Sequence, residues 1–202
     1  VDLNFIGADV NVALTLTYGA ETDGRYPAQA FVVTGISGQV VYGGDGLDVN
    51  APVVALVPID PAEPTPAAGA AAPLAFSRFA VKTGLPADNH GTLTYDNLYW
   101  PNEAPSTAVD DENHGGVLDF YGLMFDIGDG MFVDLWSNGS PDGRNVEYGM
   151  SIVSRDKALA YIGGLVPAPA PVPVPASLGL LGGVLGGLAV LGLTARHRRQ
   201  WF

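Results

Sequence analysis

The 202-residue chain carries 21 acidic residues against nine Lys and Arg, a formal net charge of −12, and it has no cysteine. Disulfides, thiolate metal sites and cysteine nucleophiles are thereby excluded, and the negative field argues against nucleic acid as a partner. With 27 Gly and 16 Pro beside 48% hydrophobic residues, the composition points to a turn-rich β protein with one globular domain and a substantial core.

Residues 10–18 alternate strictly. Val10, Val12, Leu14, Leu16 and Tyr18 fall on one face and Asn11, Ala13, Thr15 and Thr17 on the other, the pattern of a half-buried strand. After a charged turn at 21–27 come two short apolar runs, 30–34 and 39–42, which the glycines at 35 and 38 predict to be a hairpin. Residues 52–58 form a further apolar run, and proline at both ends marks it as an edge strand. The Pro- and Ala-rich stretch 58–73 has no periodic face and reads as a surface loop of polyproline character inside the domain, with a linker between two half-domains as the alternative.

Alternation returns at 75–82 and at 92–100, where Leu93, Tyr95, Asn97 and Tyr99 share a face, and a polar loop spans 101–116. Four more strands are predicted at 117–126, 131–136, 146–153 and 158–162, separated by Gly128-Asp129-Gly130 and by the turn-rich 137–144. Asp-Gly between two apolar runs is a strong hairpin signal. Nine or ten short strands with short turns predict a mainly β fold, an antiparallel β-sandwich or jelly-roll-like domain, over residues 1–164.

The C-terminal end is of another kind. Residues 165–175 are a Pro-rich linker, 176–195 are free of charge, and 196–202 hold three arginines. Pro175 sets a hard start for a helix, and about 20 residues at 1.5 Å each reach roughly 30 Å, the thickness of the hydrocarbon core of a bilayer. Six glycines in that run would make a poor soluble helix. A transmembrane helix is therefore expected at 176–195. Arg196, Arg198 and Arg199 follow it at once and no Lys or Arg stands near its start, which predicts a cytoplasmic basic tail and an exported domain. The chain opens at Val1 without a signal peptide; a leader removed or left out is the expectation. The exported residues then hold all 21 acids and six basic residues, net −15.

The order Val172, Pro173, Val174, Pro175, Ala176, then a Gly- and Leu-rich apolar run, then Arg-His-Arg-Arg resembles the PEP-CTERM class of bacterial sorting signals, in its VPLPA-type variant. Val174 stands where the commonest form has Glu. The resemblance covers about the last thirty residues. It implies export by a Gram-negative bacterium that makes exopolysaccharide, with an exosortase-type membrane protease as partner. The segments Asp96-Asn97-Leu98, 118–125 and 133–136 also resemble, loosely, a small β domain found before such tails.

Chemistry-bearing patterns are few. Residues 43–51, with Asp45 and Asp48, fit part of a nonapeptide calcium repeat, but Asn50 replaces the expected apolar residue and there is one copy only; an ordinary Gly-rich turn fits as well. Asp110 and Asp111, beside Glu112 and His114, offer hard oxygen ligands for calcium in what otherwise reads as a solvated acidic loop, and His90 lies in a polar loop as well. No Gly-x-Ser-x-Gly or His-Glu-x-x-His motif is present. Tyr95, Tyr99, Trp100, Tyr121, Trp136 and Tyr148 are candidates for sugar stacking or for core. In the apolar tail Gly179, Gly183 and Gly187 form a stripe where another helix can approach. The expected function is a non-enzymatic surface or matrix protein, cohering with polysaccharide or with copies of itself. A glycan-binding module and a single-span subunit of a membrane complex are the alternatives.

Overall fold

The computed structural model describes residues 1–22, 29–59, 95–102, 104, 115–140, 145–155 and 157–168. The chain divides into two units, Val1–Ala170 and Pro171–Phe202, and the second lies outside the described residues. There, too, lie the expected membrane span, the stretch 60–94 and most of the loop 101–116.

The described residues form antiparallel β-sheet and contain no helix. The strands are β1 (Asp2–Ile6), β2 (Val10–Thr22), β3 (Phe31–Gly44), β4 (Leu47–Pro52), β5 (Ala55–Leu56), β6 (Leu98–Tyr99), β7 (Leu123–Gly128), β8 (Met131–Gly139), β9 (Glu147–Val153) and β10 (Ala158–Pro167). They pair in the order β4-β3-β2-β1-β10-β9-β8-β7-β5, with β6 added to the start of β3. The two ends of this path, β4 and β5, are consecutive in sequence. Val53 N–H still donates to Gly38 O of β3, and the very next N–H, of Val54, donates to Asp126 O of β7.

The two halves of the path differ in how they meet water. In β2 the residues Val10, Val12, Leu14 and Leu16 are buried and alternate with exposed Asn11, Thr15 and Thr17, so β1–β4 keep one wet face. In β8 every residue from Phe132 to Ser137 is buried, as is every residue from Tyr148 to Val153 in β9. One main core takes Phe5, Val12, Leu14, Val40 and Val49 from the first half and Phe125, Val133, Leu135, Met150 and Ile152 from the second. At about 25 cal/mol per Å² of apolar area, this shared burial is the main driving force for folding.

Two turns follow directly from sequence. Asp45-Gly46 and Asp129-Gly130 both have positive φ at both residues, 51° and 75° in the first and 54° and 72° in the second. These are the left-handed angles of the type I′ hairpin turn, which Asp-Gly accommodates best.

Elsewhere the structure departs from expectation. The glycines at 35 and 38 make no hairpin; β3 runs unbroken from Phe31 to Gly44 against β2, with Gly38 opposite Leu14. At Gly38 a Cβ would overlap the Ala13 carbonyl oxygen, so close strand approach, not a turn, requires glycine there. Residues 95–100 are all buried, and only Leu98–Tyr99 is strand. The strand expected at 117–126 starts only at Leu123. Strand β1 was not foreseen. β10 extends through Pro167, with Val166 and Pro167 paired to Ile6 and Phe5 and the Ala168 N–H bonded to Asn4 O, so the sheet continues into residues expected to be linker.

Candidate functional site

The polar residues that the fold buries gather around two irregular segments, 95–100 and 117–122. Asn97 adopts φ 56°, a left-handed conformation that Asn tolerates better than most residues. Its Nδ2 donates to Val57 O at 2.8 Å and its Oδ1 accepts the Met124 N–H at 3.0 Å. Its main chain bonds Gly122 O and the Val33 N–H. Asp96 Oδ1 accepts the Leu98 N–H.

Asp119 makes the second irregular segment. Its Oδ1 accepts N–H bonds from Tyr121 at 2.9 Å and Gly122 at 3.1 Å, and its carbonyl accepts the Ser137 N–H. Gly122 has φ 70°, and a Cβ there would overlap the Leu135 carbonyl oxygen. An aspartate that turns the chain and a glycine pressed against β8 explain why strand pairing begins only at Leu123. The segments whose resemblance to a small β domain was noted thus have structural roles: they bind β3, β5, β7 and β8 together.

On the face of β8 and β9 turned away from the main core, Asp134 stands directly between Met124 of β7 and Ser151 of β9. Asp134 is 2% exposed and Ser151 fully buried. Asp134 Oδ1 and Ser151 Oγ have no hydrogen-bond partner. Burial, and secondarily the charge of Asp119, hold the Asp134 carboxyl well above the usual carboxylate range. Two residues further along β8, Trp136 lies over Gly149, where a Cβ would come within 2.5 Å of its ring. Its Nε1 donates to Asn138 Oδ1 at 2.8 Å, and its ring packs beside Tyr161 with centroids 5.5 Å apart.

Of the residues singled out by sequence, Val172, Pro173, Val174, Pro175, Ala176, Gly179, Gly183, Gly187, Arg196, Arg198 and Arg199 lie outside the described residues, as do Asp110, Asp111, His90 and His114. Asp45 sits in the β3–β4 turn, where Tyr42 Oη donates to its Oδ2 at 3.2 Å, and Asp48 is exposed on β4. Burial and the Asp45 contact raise the Tyr42 phenol. Among the described residues no three His, Cys, Asp or Glu side chains converge as a metal site. Nor is any described helix long and apolar enough to cross a membrane. The six aromatics proposed for stacking are all buried, between 0% and 7% exposed, and serve as core. Phe120 and Tyr161 are the larger exposed rings of the second half.

Sequence reading missed Asp134 and Ser151 as a pair. The signal was a lone acid inside the apolar run Phe132-Val133-Asp134-Leu135-Trp136, where strand alternation would leave it buried if both faces were covered. No protein-family model, curated protein or solved structure matches the chain.

Proposed function

We propose that the chain is an exported surface or extracellular-matrix protein of a Gram-negative bacterium, sorted by its tail and non-enzymatic in role. The observation behind this reading is the order of three elements in the sequence: Val172 to Ala176 as the recognition motif, an uncharged run, and Arg196, Arg198 and Arg199 as the stop. An exosortase-type protease is the partner at the membrane, and polysaccharide or like domains are the partners outside. The folded unit is a β-sandwich of jelly-roll character, its two halves closing on one core at the β1–β10 and β4–β5 seams.

Two features support a role as a presented module. β10 pairs with β9 from Ala158 to Leu165 and with β1 at Val166 and Pro167, so a pull on the tail first loads the short β1 contact and then the longer β9 ladder. The many surface acids favour hydration and repel like-charged partners at low salt, while divalent cations screen them.

The test is deletion of residues 172–202 in the native host, followed by fractionation. The proposal expects the shortened protein to lose its place at the membrane and cell surface. An unchanged distribution, with unchanged phenotype, overturns it. If instead the full-length protein is found permanently in the membrane, its role is that of a single-span subunit that packs Gly179, Gly183 and Gly187 against a neighbouring helix.

A further inference from the structure

We infer that Asp134, Ser151 and the neighbouring Asp119 form a buried binding site for a hard divalent cation, on the face of β8 and β9 turned away from the main core. The placement rests on strand register. Asp134 and Ser151 are directly opposed, so their side chains leave the sheet side by side on one face. Both are buried, and Asp134 Oδ1 and Ser151 Oγ make no hydrogen bond. Two opposed polar groups that ignore each other in an apolar face each carry a desolvation cost that no hydrogen bond offsets.

The third group is Asp119, whose carbonyl takes the N–H of Ser137, three positions beyond Asp134 on β8, and whose charge adds to the upward shift of the Asp134 carboxyl. Its backbone is fixed by the Ser137 N–H and its carboxylate by the N–H groups of Tyr121 and Gly122. The site is therefore preorganised on a rigid part of the sheet. Two carboxyl groups of like charge out of water are costly unless a positive charge or a proton relieves them. Carboxylate and hydroxyl oxygens with no nitrogen or sulfur select a hard cation such as calcium or magnesium, with water completing the coordination. This site is separate from the hairpin at Asp45 and Asp48, and it does not depend on the tail.

Trp136 supplies the readout, since it lies on the same strand and face as Asp134, and an indole close to a bound terbium ion sensitises its emission. The full-length chain, in detergent micelles at neutral pH, is titrated with terbium under tryptophan excitation and then back-titrated with calcium and magnesium. Its melting temperature is measured in EDTA and in calcium. The site predicts saturable emission displaced by a divalent cation, and a melting temperature that rises with calcium. Asp134→Asn, which keeps the shape of the side chain, lowers affinity by at least about 100-fold, and Ser151→Ala by about tenfold. Asp48→Asn leaves both signals unchanged. Absence of saturable emission in the wild-type chain, equal binding by Asp134→Asn, or loss of binding in Asp48→Asn would each overturn the inference. In the first case the Asp134 proton alone relieves the pair.

Discussion

Asn97 and Met124 are 27 residues apart in sequence, yet Asn97 Oδ1 accepts the Met124 N–H at 3.0 Å while Nδ2 of the same side chain donates to Val57 O at 2.8 Å. One amide thus spans the edge of β7 and the segment after β5. It does so from a left-handed backbone that also binds Val33 of β3.

Asn97→Ala removes both side-chain bonds, leaves Met124 N–H and Val57 O unsatisfied, and forces a β-carbon residue with no local polar compensation to φ 56°. A loss of about 3 kcal/mol or more in unfolding free energy is expected from urea titration. Asn97→Gly keeps the backbone conformation at ease and loses only the bonds, so it is less destabilised than the Ala variant by about 1 kcal/mol.

Gly122→Ala places a methyl group on the Leu135 carbonyl oxygen at φ 70°. Backbone cannot yield as a flexible side chain can, and a loss of about 3 kcal/mol is expected. Gly43→Ala, on β3 with nothing within 4 Å of its Cβ position, is expected to change stability by no more than about 0.5 kcal/mol. Thermal melts of the two variants side by side separate the close approach from any general cost of adding a methyl group.

Tyr148 packs its ring on Phe5 with centroids 4.6 Å apart and accepts the Val117 N–H at its hydroxyl, 3.0 Å. Tyr148→Phe keeps the ring and strands that N–H, for an expected cost of roughly 1–2 kcal/mol. Amide exchange at Val117 should accelerate more than at Phe5, because only the former loses its partner.

The raised Asp134 carboxyl fixes the sign of a pH effect. The folded chain keeps this proton at pH values where the unfolded chain, with an ordinary value near 3.8, has lost it. Its stabilising contribution is fully present below the unfolded value and is lost as pH rises through the folded one. Urea midpoints in EDTA from about pH 3 to about pH 8 should therefore show Asp134→Asn gaining on the wild type as pH rises. A constant difference across the range would show that Asp134 does not titrate in this way.

The residues that alternate most cleanly were legible in sequence. Val10, Val12, Leu14 and Leu16 announced β2, and Asp129-Gly130 announced the β7–β8 hairpin, because periodicity and turn chemistry act locally. Gly35 and Gly38 misled for the same reason: a glycine pair reads as a turn, whereas the need at Gly38 is the approach of Ala13, 25 positions earlier in the chain. Asn97 sat in an alternating run and looked like one more inward residue, although its role depends on partners at 57 and 124 that no local pattern reveals. Asp134 gave no local sign of its burial, because the stretch 131–136 reads as a strand whether or not its second face is covered; in β8 both faces are buried. The proposed meaning of the tail, a sorting signal read by a membrane protease, rests on the order of its residues alone and not on the fold.

The most direct test of the account is the intact mass of the protein from its native host, with membrane and extracellular fractions measured separately. The account predicts an extracellular species whose mass corresponds to a chain ending within residues 172–176, the uncharged run and the arginines having been removed. A full-length species confined to the membrane fraction, with none outside the cell, would contradict it.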